Sequence, residues 1–341
     1  MKTYDFIIIG AGHNGLVTAA YLAQRGRKVL VLERRESIGG QVVTETFGDG
    51  FTVDSLHAGG ALHPDIVRDL KLISFGLQPS SNHKKPFISL QENSKHLVLD
   101  ENASESIKGF STSDAAKWPE FLEFMKKVSK FIHASYATIM PRLPADFNIS
   151  EGSGLAKLGL DLRMMGGKDM MRILRGMPMT AIEFVDEWFE SETLKAAIAS
   201  LGIHGFTLGV MGAGTGYTLM HNWTNRGGLS HPAVPGGVGK ISEALAAALK
   251  SFGGELRTNA EVKSILVDVY ACKGVVLANG EEILATNVIS AADPKRTFLS
   301  LVGPVNLPPE FVWHTQSIKM RGSVAKIHLL TDGKHGVPDG T

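Results

Sequence analysis

Three glycines and one acid near the start of the chain have the spacing of a dinucleotide clamp. Gly10-Ala11-Gly12-His13-Asn14-Gly15 is a G-x-G-x-x-G run, and Glu33 follows its last glycine by 18 residues. Gly10 permits a tight turn, Gly12 lets a pyrophosphate approach the main chain, and Gly15 lets the following helix pack closely on a sheet. The first N–H groups of that helix, and its positive end, then face the phosphates. At Glu33 a carboxylate accepts hydrogen bonds from both ribose hydroxyls. The chemistry such a set points to is capture of a dinucleotide, phosphates on the glycines and sugar on the acid.

Those residues need particular elements behind them, and the sequence supplies the pattern for each. An apolar run, Phe6 to Ile9, leads into the first glycine; Leu16 to Arg25 is helical in period, and Lys28 to Leu32 reads as a second buried strand. This first stretch extends to about Leu72, with a turn at Gly48-Asp49-Gly50 and a short strand over 51–54. From Pro79 to Pro144 the chain is richer in Ser, Asn and Lys. Helical periodicity is clear over 117–134, over 155–179 with a break at Gly166-Gly167, and over 181–201; a glycine-rich loop spans 205–216.

After His231 the earlier character returns. Pro235-Gly236-Gly237 precedes a helix over 240–252, and strands are expected over 255–257, 260–270, 274–277 and 282–290. From Val302 a proline-rich linker leads to a further strand over 322–330. The expectation is an α/β chain of two domains: a discontinuous, Rossmann-like nucleotide-binding domain over 1–75 and 232–300, and an inserted, largely helical α+β substrate domain over 76–231 and 301–341.

Composition narrows the classes. The 341 residues carry 35 basic and 34 acidic side chains, a net charge of +1, with 43% hydrophobic residues. That balance gives no electrostatic case for nucleic acid. The single Cys272 excludes an internal disulfide, a C-x-x-C redox pair and a cysteine metal cluster. No apolar run is long enough to span a bilayer. With a strand beginning by Tyr4 or Asp5, the expectation is a cytoplasmic protein, or an organellar one whose leader is not part of this chain.

Rival chemistries lack their motifs. Gly236 to Lys240 superficially suggests a P-loop, but Val234 stands where Gly is needed and Ile241 where Ser or Thr is needed. No G-x-S-x-G elbow or H-E-x-x-H pair occurs, so serine hydrolysis and zinc peptidase chemistry have no support. Of the twelve histidines, His57 follows the 51–54 strand, while His204, His221 and His231 flank the glycine-rich loop and are candidates to line a cavity. Met164, Met165, Met170, Met171, Met177 and Met179, with Arg163, Lys168, Arg172 and Arg175, allow three readings. One is a tunnel for a lipid-like ligand, another a peripheral membrane contact, and the third ordinary helix packing with a solvated basic edge.

Taken in order, these segments resemble the flavoprotein oxidoreductases that include bacterial phytoene desaturases. Within that family the resemblance is closest to the phytoene-dehydrogenase-like branch of pyridine nucleotide-disulfide oxidoreductase domain-containing protein 2. It rests on Tyr4 to Leu16, on Leu32-Glu33-Arg34-Arg35 with Ile38-Gly39-Gly40, on Pro235 to Gly239, on Glu255 to Val262 and on Val288 to Pro294. It implies non-covalent FAD in an extended form and a small, apolar or weakly polar substrate. Gly10, Gly12 and Gly15 would take the pyrophosphate and Glu33 the adenosine ribose, with Ala11 and Asn14 completing the turn. Gly39 and Gly40 would lie close to the cofactor, flanked by Arg34 and Gln41, and Val262 would meet the adenine through its backbone.

Two departures accompany the resemblance. Gln41 stands where many relatives have Arg, removing one charged phosphate contact. No counterpart of the family's C-terminal glycine-rich segment beside the flavin ring occurs before Thr341, so a truncated chain is expected. An amine-oxidase-like reaction is the rival within the enzyme class. Rab GDP-dissociation inhibitors share the architecture but have lost flavin, which the intact Gly10/Gly12/Gly15/Glu33 set argues against. An inactive fragment is the third alternative.

Overall fold

The computed structural model describes residues 3–48, 50–54, 62–78, 84–91, 96–100, 103–139, 149–229, 231–232, 234–269, 271–320 and 325–330. The chain divides into two compact units. The first is built mainly from Met1–Ser81 and Ala233–Met320, the second from Asn82–Pro232.

In the first unit, β1 (Thr3–Ile9) and β2 (Val29–Leu32) are parallel neighbours, with Ile7 opposite Leu30. Their near-continuous apolar sequence follows from burial on both faces. Helix α1 (His13–Gln24) connects them and turns Leu16, Ala19, Ala20 and Ala23 inward. A hairpin of β3 (Thr44–Phe47) and β4 (Phe51–Asp54) follows. Next come α2 (Pro64–Asp69), begun by Pro64 behind a His63 cap, and a 3-10 turn over Leu72–Phe75.

The second unit opens with three short strands, β5 (Lys84–Lys85), β6 (Phe87–Ser89) and β7 (Leu97–Leu99). Helices then dominate: α3 (Ala103–Lys108), α4 (Thr112–Ala137), α5 (Ile149–Met164), α6 (Gly167–Gly176), α7 (Ala181–Asp186), α8 (Glu192–Ala199) and α9 (Thr215–Arg226). Strand β8 (His231–Pro232) returns to pair with β5. Along α4 the buried residues Trp118, Phe121, Met125, Val128 and Ile132 fall at three- and four-residue spacing. Phe121 sits at their centre, with Trp188, Phe189 and Trp223 edge-on at 5.3, 5.0 and 5.4 Å between ring centres. Burying each such side chain contributes about 1.5–3 kcal/mol.

The helix expected over 181–201 is two helices. Asp114, buried on α4, accepts hydrogen bonds from the main-chain N–H groups of Glu190 (2.9 Å) and Ser191 (2.8 Å). Ser191 in turn caps α8. A carboxylate that takes two consecutive N–H donors removes them from a continuous helical ladder.

The chain re-enters the first unit through α10 (Gly239–Ser251), then β9 (Glu255–Arg257), β10 (Val262–Asp268), β11 (Ala271–Leu277) and β12 (Glu282–Ser290). One six-stranded sheet results, in the order β10-β11-β12-β1-β2-β9. From β12 to β9 neighbours run parallel, while β10 and β11 are antiparallel. Helices α1 and α10 cover one face over Ile8, Val29 and Val31. Ile7, Ile9, Leu30 and Leu32 pack on the other side with Val262, Ile283 and Leu301. Parallel strands with helices packed on one face, entered through a glycine turn, make this a Rossmann-like α/β fold.

Beyond β12 the structure differs from expectation. Residues 301–320, expected with the inserted domain, group with the first unit. In place of a linker they hold the end of a π-helical stretch (Lys295–Val302), a 3-10 turn (Pro304–Asn306) and α11 (Pro309–Ser317). Phe298 and Phe311 lock the stretch to α11, edge to face at 4.8 Å. The prolines open the turn and the helix at their first positions, where a missing N–H costs nothing. Residues 325–330 carry no strand; 322–324 lie outside the described residues.

Candidate functional site

At the carboxyl ends of β1, β2 and β12 the first unit has a cleft of about 320 Å3. Open α/β sheets bind ligands at this edge. Ile9, Gly10 and Gly12 form its floor. Leu32 to Arg35 and Gly40 form one wall, Ala260 to Val262 another, and Ala291 to Asp293 with Arg296 a third.

Each glycine of the turn has a different geometry. Gly10 has φ +97°, which side chains rarely adopt. A Cβ at Gly15 would lie 2.2 Å from the carbonyl oxygen of Gly10, so helix and turn touch there. Gly12 is unlike both. Its φ of −68° and ψ of 165° suit any residue. A Cβ there would meet only the Cα of Gly40, at 4.0 Å. Neither backbone nor packing requires a glycine at 12; the missing side chain leaves space that opens on the cleft. Helix α1 starts at this point with no side-chain cap and no acid in its first turn, so its positive end is uncompensated and favours an anion.

The doublet is fastened to the turn. Gly39 donates its N–H to the carbonyl of Ala11 (2.8 Å), and Gly12 and Gly39 form a parallel bridge. Gly39, at φ +109°, has no room for a Cβ, which would fall 2.3 Å from the Val42 carbonyl oxygen.

Glu33 is 7% exposed. Its Oε2 accepts the Ala11 N–H (2.8 Å) and its Oε1 the Arg35 N–H (3.0 Å). No cation pairs with it among the described residues. Each oxygen retains a lone pair for another donor, which suits the two hydroxyls of a ribose. The cleft thus offers the positive end of a helix, a glycine turn in its floor and a buried acceptor carboxylate. These fit the pyrophosphate and ribose of an FAD.

Of the residues singled out in the sequence, Gly10, Gly12, Glu33, Arg34, Gly40 and Val262 line the cleft. Ala11, Gly15 and Gly39 stand behind it as supports. Asn14 is exposed, its carbonyl accepting the Thr18 hydroxyl (2.9 Å), and Gln41 is exposed; neither lines the cleft. His57 lies outside the described residues. Sequence reasoning did not place Arg35, Asp293 or Arg296 at the cleft; it read Arg35 as a solvated charge, and the cleft lining includes all three. Arg35 Nη2 donates to the Gly40 carbonyl (3.2 Å), and Arg296 Nη2 pairs with Glu261 Oε1 (3.1 Å). The signal for Arg35 was its place in the Leu32 to Arg35 segment, and for Asp293 its place in Val288 to Pro294.

A second cavity, of about 680 Å3, lies beside β10, β11 and β12 and includes Cys272, Val288 and Phe298 in its lining. In the helical unit the basic edge of α6 is neutralised: Lys168 and Arg172 meet Glu120, and Arg175 meets Glu187. Met164 and Met171 are exposed, whereas Met165 and Met177 pack on the core. Among the described residues no helix is long and apolar enough to cross a membrane, and no cluster of His, Cys, Asp and Glu is arranged to hold a metal ion.

Comparison with known proteins agrees with this geometry. Pyridine nucleotide-disulfide oxidoreductase domain-containing protein 2 of Rattus norvegicus is 32% identical, over 96% of this chain and 60% of its own length. The lycopene-forming phytoene desaturase of Pantoea ananas is 24% identical, over 86% of this chain and 57% of its own. The chain therefore spans about 60% of the length of the first of these relatives. Among solved structures, an oxidoreductase from Methanosarcina mazei superposes with a TM-score of 0.60 at 18% identity, covering 93% of this chain and 66% of that one, a likeness of fold. The family model described as flavin containing amine oxidoreductase matches residues 15–341. A glycine turn, a buried acid beside it and a match over nearly the whole chain lead to one conclusion: the chain belongs to the flavin-containing amine oxidoreductase family.

Proposed function

We propose that the chain binds FAD non-covalently in the cleft at the ends of β1, β2 and β12, as the cofactor-binding part of an oxidoreductase. Its small-molecule substrate is apolar or weakly polar. The observation that carries the reading is Gly12, a glycine that neither its backbone conformation nor its neighbours demand. A phosphate seated on the α1 N-terminus is what a side chain there would displace.

The protein's own contribution is positioning. The positive N-terminal end of α1 draws the pyrophosphate onto the glycine turn, and Glu33, kept in place by Ala11 and Arg35, orients the ribose. Arg35 lines the same cleft, as does Arg296, which is paired with Glu261. The flavin supplies the redox chemistry, exchange of a hydride with a substrate carbon. Burial of Glu33 and the apolar wall residues Ile9, Leu32 and Val262 keep water from the adenosine end.

The test is the visible spectrum of the purified full chain, with and without added FAD. A bound flavin band and FAD-dependent thermal stabilisation are expected, and Gly12→Val should weaken FAD binding by about tenfold or more. No flavin band together with no stabilisation would sink the proposal. Anaerobic bleaching of the bound flavin by a substrate panel then tests the oxidoreductase half.

A further inference from the structure

Several cations of the helical unit are paired with carboxylates. Lys127 meets Asp169, Lys168 and Arg172 meet Glu120, Arg175 meets Glu187, and Lys195 meets Asp186 and Glu192. Arg226, the last residue of α9, is different. It is half-buried, its Nε is wholly buried, and no hydrogen bond or ion pair reaches the side chain among the described residues. An uncompensated guanidinium out of water is costly.

Among the described residues no carboxylate pairs with Arg226. His204 lies close enough for the two to repel: burial first, and Arg226 second, hold its imidazole below its ordinary value. Asn222 spends its amide N–H donors on the carbonyls of Leu201 (2.7 Å) and His204 (3.0 Å). On the adjoining face of α9, His221 is bonded by the Tyr136 hydroxyl and, at 3.0 Å, by the amide nitrogen of Asn225. Burial holds His221 down and Tyr136 up, so both are neutral at pH 7. The C-terminal end of the α9 dipole favours a cation at this position, yet it neither explains the burial nor bonds Nε. The segment that carries His204 also presents Ile203, Phe206, Leu208 and Met211 as exposed apolar side chains. Asn222, one turn before Arg226 on α9, holds the His204 carbonyl, so this apolar strip begins beside the unmatched cation.

We infer that Arg226 is the recognition point for the oxyanion of an amphipathic ligand, an apolar chain ending in a carboxylate or a phosphate, whose chain lies along Ile203 to Met211. A guanidinium presents a planar fork that either group can accept in two hydrogen bonds. The site uses no residue of the flavin cleft and does not depend on the flavin reading.

Thermal unfolding of the full chain tests it, at pH 7.5, with octanoate, octyl phosphate, octanol or inorganic phosphate at equal concentrations. Octanoate or octyl phosphate should raise the melting temperature by roughly 2 °C or more. The larger of the two shifts identifies the head group; octanol and inorganic phosphate should have little effect. R226Q should lose the response and R226K should weaken it, because an ammonium lacks the fork. An octanol effect equal to that of octanoate, or an unchanged response in R226K, overturns the inference, and R226K decides alone if R226Q does not fold. Inorganic phosphate matching octyl phosphate would overturn the apolar half. The flavin spectrum of the same samples keeps the two proposals separate: an octanoate response without a flavin band counts against the FAD reading only.

Discussion

The side chain missing at residue 12 and the one missing at residue 15 serve different ends, and alanine at each position separates them. At Gly15 a methyl group would lie 2.2 Å from a main-chain oxygen, so Gly15→Ala has to force α1 away from the turn. Overpacking of this kind costs about 1–3 kcal/mol. At Gly12 the backbone already suits alanine and the space is open, so Gly12→Ala should hold or raise stability by up to about 1 kcal/mol while losing cofactor affinity. Thermal melts of the two cofactor-free variants by circular dichroism check this. Equal destabilisation would mean that both glycines serve packing. The close contact of Gly15 was legible in the sequence because its partner, Gly10, lies five residues away. Arg35 and Arg296 were not, since each takes its meaning from a partner brought close by the fold, the Gly40 carbonyl and Glu261.

At the scale of elements, one carboxylate decides where a helix ends. Asp114 reaches across 76 residues of sequence to Glu190 and divides what periodicity alone reads as a single helix over 181–201. Asp114→Asn keeps the shape but offers one acceptor oxygen to two N–H donors. A buried N–H left unsatisfied costs about 1–3 kcal/mol. Urea unfolding followed by tryptophan emission should show that loss, because Trp118, Trp188 and Trp223 all lie in the same core. An unchanged midpoint would remove Asp114 as the cause of the break. Short-range patterning still located most of the remaining elements, including α4 and the strands 255–257 and 282–290. It failed from Val302 to Ser317, where prolines read as a linker in fact open helices whose packing partner, Phe298, lies outside the segment.

For the whole molecule, the two depressed histidines set a direction for acid sensitivity. His204 and His221 are held below their ordinary value of about 6.5, chiefly by burial. The unfolded chain therefore takes up protons first as pH falls. Stability should be flat above about pH 7 and decline below about 6.5, until the folded imidazoles also titrate. His221→Gln should flatten part of that decline in melts between pH 5 and 8, and an identical profile would take His221 out of the effect.

The pairing of β1 with β12 has a consequence for how the protein is made. Ile7 lies beside Val288, and the helical unit occupies most of the sequence between them. At about 5–20 residues per second, a ribosome that has finished the glycine turn needs tens of seconds to deliver the strand that walls the cleft's other side. Throughout that interval the β1 edge that β12 will occupy stands open on the nascent chain, and the turn has no closed pocket in which to hold a nucleotide.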